Sequence, residues 1–457
     1  MLDDEENAMT THRSLRPAPA GAHRGPFSPR SLSRIALVGA AALTLAGCSA
    51  GAQPGGGGGE GGASAWTLTG GAEETFRSSF QAWNDANGDS PITAEYFAND
   101  AFKEKIRTSV GSGNAPTLIY NWGGDTLESY VENGSVVELT GEIPEMEERA
   151  LDSVLETGKV DGKLYAVPNN NTQPVILYYN TKLFEEAGVE VPTTWEEMLD
   201  AVEAFKAEGV TPISVAGSSQ WPYLMWIQYL TDRIGGPEVF QAVVDGEEDA
   251  WSHPAITQAL EKIQELVEAG GFGDAYGSVV ADAGADVALV HTDQAAMMLH
   301  GSWVYSSFLT DAPEWTAEGN LGYTTFPEIE GGQGDPQNIV GNPANFWAVS
   351  ADASEEEQAT ALEYLDDMNL DDAAVDTLFD AGLIPAVDGV EDRIAETEHP
   401  EYLDFAYSMV QDAPNFQLSW DQALPADQGQ ALLTNLSQVF AGEMSPEEFQ
   451  TAMNGTL

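Results

Sequence analysis

The sequence predicts an α/β fold arranged as two lobes. From Trp66 onward, short apolar stretches alternate with amphipathic ones in the order strand, helix, strand, helix, strand, which is the pattern of a doubly wound sheet. Beyond residue 175 the alternation starts again, and a chain of 457 residues is too long for one ordinary core.

A leader comes first. Residues 35–46 form an apolar run preceded by Arg24, Arg30 and Arg34. The run is shorter than the roughly 20 apolar residues that a bilayer span needs, but it fits the apolar centre of a secretory signal over residues 1–47. It closes on Leu45-Ala46-Gly47-Cys48, which resembles a bacterial lipobox, whose cysteine takes lipid and becomes the first residue after cleavage. A plain secretory leader that contains a cysteine is the competing reading. Asp3-Asp4-Glu5-Glu6 is foreign to a signal peptide and points to Met9 as the start. Cys48 is the sole cysteine, so an internal disulfide and a cysteine-based metal site are excluded. Residues 48–65, with unbroken glycine at 55–59, have the composition of a flexible tether.

The folded part begins with a strand at 66–69 and a helix carrying Phe76, Phe80 and Trp83 at helical spacing. A strand at 92–97 follows, and Asn99 or Asp100 can cap a helix over 101–110. The strand at 117–120 runs into Asn121-Trp122-Gly123-Gly124, at the carboxyl end where doubly wound sheets bind ligands, and a helix follows at 125–131. Val160-Asp161-Gly162-Lys163-Leu164-Tyr165 reads as a hairpin, 167–174 as a polar extended connection and 175–179 as an apolar strand. Thr193 and Thr194 stand three residues before Glu196 and Glu197, a capping-box spacing. The helix so opened buries Trp195, Met198, Leu199, Val202 and Phe205. A strand at 212–215, an aromatic helix at 222–234, an amphipathic helix at 256–267 and a strand at 295–299 ending in His300-Gly301-Ser302-Trp303 come next. After a further strand at 345–350, the remainder reads as helical.

With 17 Lys and Arg against 74 Asp and Glu, the net charge is −57. Such a surface repels polyphosphate and anionic head groups, which excludes nucleic acid as a partner. Carboxylates on outer helix faces account for the charge as solubility; a cationic ligand is the alternative. The 11 Trp and 14 Tyr must fill cores or line a site.

Several motifs occur in a fixed order: Gly162-Lys163-Leu164-Tyr165-Ala166-Val167-Pro168, Tyr179-Asn180 with Leu183-Phe184, Trp195-Glu196-Glu197, Gln294-Ala295-Ala296-Met297 leading to Gly301-Ser302-Trp303, Gly382-Leu383-Ile384-Pro385, and Ser445-Pro446-Glu447-Glu448-Phe449. In this order, behind a lipobox, they resemble the extracellular solute-binding proteins of carbohydrate ABC importers, the maltose-binding-protein-like group. Asn121-Trp122-Gly123-Gly124 and Ser419-Trp420-Asp421-Gln422-Ala423-Leu424-Pro425 look most like actinobacterial binders of xylo- or cello-oligosaccharides. The resemblance implies a type II periplasmic-binding-protein fold, with two doubly wound lobes joined by three hinge crossovers near 170–174, 326–339 and 384–387. It places 66–171 and 336–384 in the N-terminal lobe, and 172–335 and 385–457 in the C-terminal lobe. It also implies a neutral oligosaccharide clamped between the lobes, transmembrane permease subunits as the partner, a monomer, and a lipid anchor at Cys48 outside the cytoplasmic membrane.

A pyranose ring offers an apolar C–H face that packs on an indole and a rim of hydroxyls that needs polar partners. Trp122, beside Asn121 and Gly123, suits this role at its strand end. The resemblance adds Trp303, where the family stacks sugar, and Trp420 with Asp421. Trp221 follows a polar turn and can reach the cleft. Asn170 and Asn171 at the first crossover and Asn345 near the second can bond hydroxyls, and Gly70 lets the backbone approach a ligand. Core packing or a structural turn is the competing reading for each. Trp83, Trp195, Trp226, Tyr229 and Trp347 read as core. His300 reads first as a satisfied strand-end residue and second as a ligand contact.

Catalytic residues and cofactors are not expected. No Gly-x-Ser-x-Gly elbow and no His-Glu-x-x-His pattern occurs, and His253, His291, His300 and His399 are scattered. A secreted glycoside hydrolase and a polyamine or amino-acid binder stay open as alternatives, because 74 acids can always supply a carboxylate pair.

Overall fold

A computed structural model describes residues 62–457. Cys48 and the leader lie outside the described residues. The tether boundary moves: Ala63, Ser64 and Ala65 belong to strand β1 (Ala63–Leu68) and pair in parallel with Ile92, Thr93 and Ala94 of β2 (Ile92–Phe97). Their small side chains look like linker, yet Ala63 and Ala65 are wholly buried.

The first sheet is completed by β3 (Leu118–Asn121), with the hairpin β4 (Lys159–Val160) and β5 (Lys163–Leu164) leading to β6 (Ala166–Pro168). The second sheet contains β7 (Gln173–Asn180), β8 (Thr211–Ser214), β9 (Ala295–Gly301), β10 (Leu321–Thr324) and β11 (Ile339–Asn342). The chain then returns to the first sheet with β12 (Phe346–Val349) and later to the second with β13 (Phe416–Leu418). The orders are β2-β1-β3-β12-β6 and β13-β11-β7-β9-β8, with β10 on the far half of the β7 edge that also carries β11. In the first sheet β1, β2 and β3 run parallel and β12 runs against β3 and β6.

Strands β11 and β13 correct the sequence reading. Residues 339–342 pair with Gln173 and Pro174 and with 416–418, so this stretch belongs to the second lobe. The second crossover is therefore at 342–346, not 326–339. Short strands broken by glycine and flanked by proline give no clear periodicity. Strand β7 is apolar through its centre because both faces are covered: Val175 and Leu177 enter one core cluster, Ile176 and Tyr178 the other.

The three crossovers bond to one another. Asn169 N–H donates to the Asn345 carbonyl at 2.8 Å, Thr172 N–H to the Ile384 carbonyl at 2.9 Å, and Ala386 N–H to the Asn170 carbonyl at 3.1 Å. Gly341 adopts φ 139° where the strands leave the second sheet; a Cβ there would collide with the Gln173 carbonyl, so only glycine fits.

The Thr194 capping box forms with Glu197 and opens helix Trp195–Glu208. Helix Asn99–Gly111 starts earlier than its expected cap, with Ala98 at the N-cap position, which leaves Asp100 in the first turn and free for another task. Trp83, Trp195, Trp226, Tyr229 and Trp347 are core residues.

Candidate functional site

Between the two sheets, and floored by the crossovers, lies a cavity of about 480 Å³, within the range of about 300–1,000 Å³ for small-molecule sites. The first lobe contributes Gly70, Lys103 and Trp122. The second contributes Trp221, Gln228, Asp286, His300, Trp303 and Asp421, and the crossovers contribute Asn170, Asn171, Gln173, Asn342 and Asn345.

Aromatic groups form two opposed walls. Trp122 leaves β3 and packs edge-on to Tyr120 and Phe102, with ring centroids at 5.5 and 5.9 Å, so that only 7 % of it is exposed. The Lys103 ammonium lies 5.2 Å from its ring. Opposite, Trp303 and Trp221 tilt together at 6.0 Å, and both stand edge-on to the His300 imidazole at 5.1 and 5.3 Å. Gly301 makes this possible, since a Cβ there would strike the folded-back Trp303 ring.

Polar groups tie the rim. Lys103 Nζ meets Asp421 Oδ2 across the lobes at 3.2 Å, and Asp421 also accepts from Ser419 Oγ at 3.0 Å and Gln422 Nε2 at 2.8 Å. Asp100 N–H donates to Asp282 Oδ2 of the other lobe at 3.1 Å. Burial, reinforced by the facing Asp282 carboxylate, pushes the Asp100 carboxyl upward. Gly124 approaches the Gln422 carbonyl so closely that no side chain fits at 124. At the floor, Asn170 Oδ1 accepts from Asn345 N–H at 3.3 Å and Asn171 Nδ2 donates to the Thr172 carbonyl at 3.0 Å.

Of the residues singled out in the sequence, Gly70, Trp122, Asn170, Asn171, Trp221, Trp303, Asn345 and Asp421 meet around this cavity. Three do not. Asn121 is buried under its own turn, accepting from Gly123 N–H at 2.9 Å and donating to the Ile119 carbonyl. Gly123 packs against Thr157 and Phe346 at φ 77°. Trp420 is fully buried, stacked on Phe240 at 4.1 Å and bonded through Nε1 to Gln417 Oε1 at 2.7 Å, which makes it core. His300 reverses its first reading: it is buried, lines the cavity, and its Nδ1 has no partner among the described residues. Lys103, Gln228, Asp286 and Asn342 were not foreseen. For Asp286 a signal existed, a single acid between apolar neighbours in Ala285-Asp286-Val287-Ala288.

Two α/β lobes, tied across a ligand-sized cavity and joined by mutually bonded crossovers, define a hinged binding protein. The family described as bacterial extracellular solute-binding protein matches residues 68–374, more than half of the chain, and the chain belongs to it. It is similar to the xylose/arabinose-binding protein XacG of Haloferax volcanii, 28 % identical over 241 residues, covering 51 % of this chain and 50 % of that protein, so the chain spans about half the length of this relative. Among solved structures it resembles one from work on xylan utilization by the thermophilic bacterium Caldanaerobius polysaccharolyticus, with TM-score 0.78 and 28 % identity over 87 % of this chain and 100 % of that one. A chitin oligosaccharide binding protein shares the fold at TM-score 0.76 and 22 % identity, over 86 % and 97 %. No helix among the described residues is long and apolar enough to cross a membrane.

Proposed function

We propose that the protein captures a neutral oligosaccharide between its lobes and delivers it to the transmembrane subunits of an ABC importer, acting as a monomer held outside the cytoplasmic membrane by lipid on Cys48, without catalysing a reaction. The observation that carries this reading is the pair of opposed indole walls, Trp122 against Trp221 and Trp303, with polar groups set between them. A sugar ring stacks by its C–H face and spends its hydroxyls on the amides and carboxylates around it. The relatives point the same way through the sugars and oligosaccharides in their descriptions. Contacts from both lobes to one ligand favour the closed arrangement over an open one, and a closed form distinct from the open one is what a permease can recognise.

The test is a thermal-shift screen of the chain lacking its leader against neutral oligosaccharides, with product analysis over hours. A ligand at a hundredfold excess over its Kd adds about 2.7 kcal/mol of stability. Stabilisation without cleavage is expected. Cleavage of the sugar would replace this reading with a hydrolase, and stabilisation by spermidine alone with a polyamine binder. Labelling of the full chain with radioactive palmitate, lost in Cys48→Ala, tests the anchor.

A further inference from the structure

Stacking on tryptophan leaves part of the cavity wall without a task. Asp286, in helix Ala285–His291, and His300, at the end of β9, are 1 % and 3 % exposed, and Nε2 of the histidine lies 3.5 Å from Oδ2 of the aspartate. Asp286 Oδ1 accepts from Val287 N–H at 3.0 Å, but its Oδ2 takes part in no hydrogen bond among the described residues, and neither does His300 Nδ1. Trp221 Nε1, Asn342 Oδ1 and Asn345 Oδ1 are buried and partnerless in the same way, and all five residues line the cavity. A buried polar atom without a partner is costly, so such a concentration around one cavity, on the second-lobe wall and the crossover floor, marks a place where a ligand completes the bonding.

The chemistry of these atoms restricts that ligand. One carboxylate oxygen and two amide oxygens can only accept, and one indole N–H can only donate. Charge restricts it further. The charged groups lining the cavity are Asp282, Asp286, Asp311 and Asp421 against Lys103, whose ammonium is engaged by Asp421. A second carboxylate brought beside Asp286 would bury two anions against a single imidazole, His300, with the Lys103 ammonium already engaged by Asp421.

We propose that Asp286 and His300 form a hydroxyl-reading subsite that fixes the sugar ring lying against Trp221 and Trp303 and rejects sugars carrying a carboxylate there. Asp286 Oδ2 accepts a ring hydroxyl, His300 orients that carboxylate from the side, and Trp221 Nε1 donates to a neighbouring sugar oxygen. The subsite rests on the carbohydrate reading given above and adds its selectivity.

Calorimetric titration of the purified chain with paired probes tests it: cellotriose and cellotriose oxidised at C6 of one ring, xylotriose and xylotriose with a glucuronate branch. The expected result is at least hundredfold weaker binding of the acidic member of the pair whose neutral member binds. Asp286→Asn should weaken the neutral sugar at least fivefold and narrow the neutral-to-acidic ratio at least tenfold, with an unchanged ligand-free melting curve as the control for folding. The wild-type ratio needs no variant, so equal binding of neutral and acidic probes overturns the proposal even if Asp286→Asn misfolds. Tighter binding of chitosan trisaccharide, which carries ammonium groups, than of any neutral probe overturns it too. If a neutral sugar binds and Asp286→Asn changes nothing, the subsite falls and the carbohydrate reading stands; if no neutral oligosaccharide binds, neither these probes nor any in the thermal-shift screen, both fall.

Discussion

Trp303 and Trp420 occupy the same local setting and have opposite fates. Each follows a serine at the carboxyl end of a strand of the second sheet and stands at the start of a helix, Ser302-Trp303 after β9 and Ser419-Trp420 after β13. Trp303 folds back over Gly301 and presents its ring to the cavity beside His300 and Trp221. Trp420 turns the other way, stacks on Phe240 within 3° of parallel, meets Trp251 edge-on at 5.8 Å and satisfies its N–H on Gln417. The role passes to the next residue, Asp421, which reaches the cleft. A strand end brings a residue to the site; the space beside that strand decides which of its side chains faces the ligand.

The largest effect should separate the two tryptophans outright. Trp420→Ala removes a fully buried indole and should cost about 3–5 kcal/mol of stability, seen as an early urea midpoint. Trp303→Ala should instead leave the ligand-free melting curve nearly unchanged and weaken sugar binding at least tenfold, about 1.4 kcal/mol. Equal losses of stability in the two variants would make both core residues and break the contrast. Lys103→Met, which unties Asp421 from the first lobe, should weaken binding a few-fold, with the loss shrinking in high salt because the pair is partly exposed; an unchanged affinity would confine Asp421 to its own turn.

The smallest effect concerns what fixes the turn before Trp303. Tyr402 Oη donates to the Ser302 carbonyl at 2.9 Å and lies 2.7 Å from Tyr178 Oη. Burial pushes the phenols of Tyr178 and Tyr402 far up and that of the adjoining Tyr305 to about 12. Unfolded tyrosine ionises near about 10. Because the folded values are the higher ones, the stability they supply is whole below pH 10 and is lost as pH climbs through 12. The melting temperature should fall over that window, less steeply in Tyr402→Phe; a flat profile would mean that these phenols do not report on the turn.

Much of this arrangement was legible in the chain. Long periodic segments such as Trp195–Glu208 declare themselves through the capping box and the buried stripe. The strand-end motifs at Trp122 and Trp303 mark the cleft because a doubly wound sheet leaves its carboxyl ends open. What stayed hidden depends on partners distant in sequence. Ile339-Val340-Gly341-Asn342 becomes a strand only because β7 and β13 lie beside it. Trp420 stacks on the distant Phe240, whereas Trp303 folds back over Gly301, where the other strand has Leu418; Asn121 is a local exception, its side chain closing the turn at Gly123.

The interleaving of the two sheets has a consequence for how the chain is made. Strand β12 sits between β3 and β6, so β6 has no neighbour in its sheet until residue 349 has left the ribosome, and β11 must wait for 416–418 to complete its pairing. Each sheet therefore gains its last strand only after most of the chain has been made. A sheet that closes on a late strand keeps an edge of unpaired N–H and C=O groups until that strand arrives.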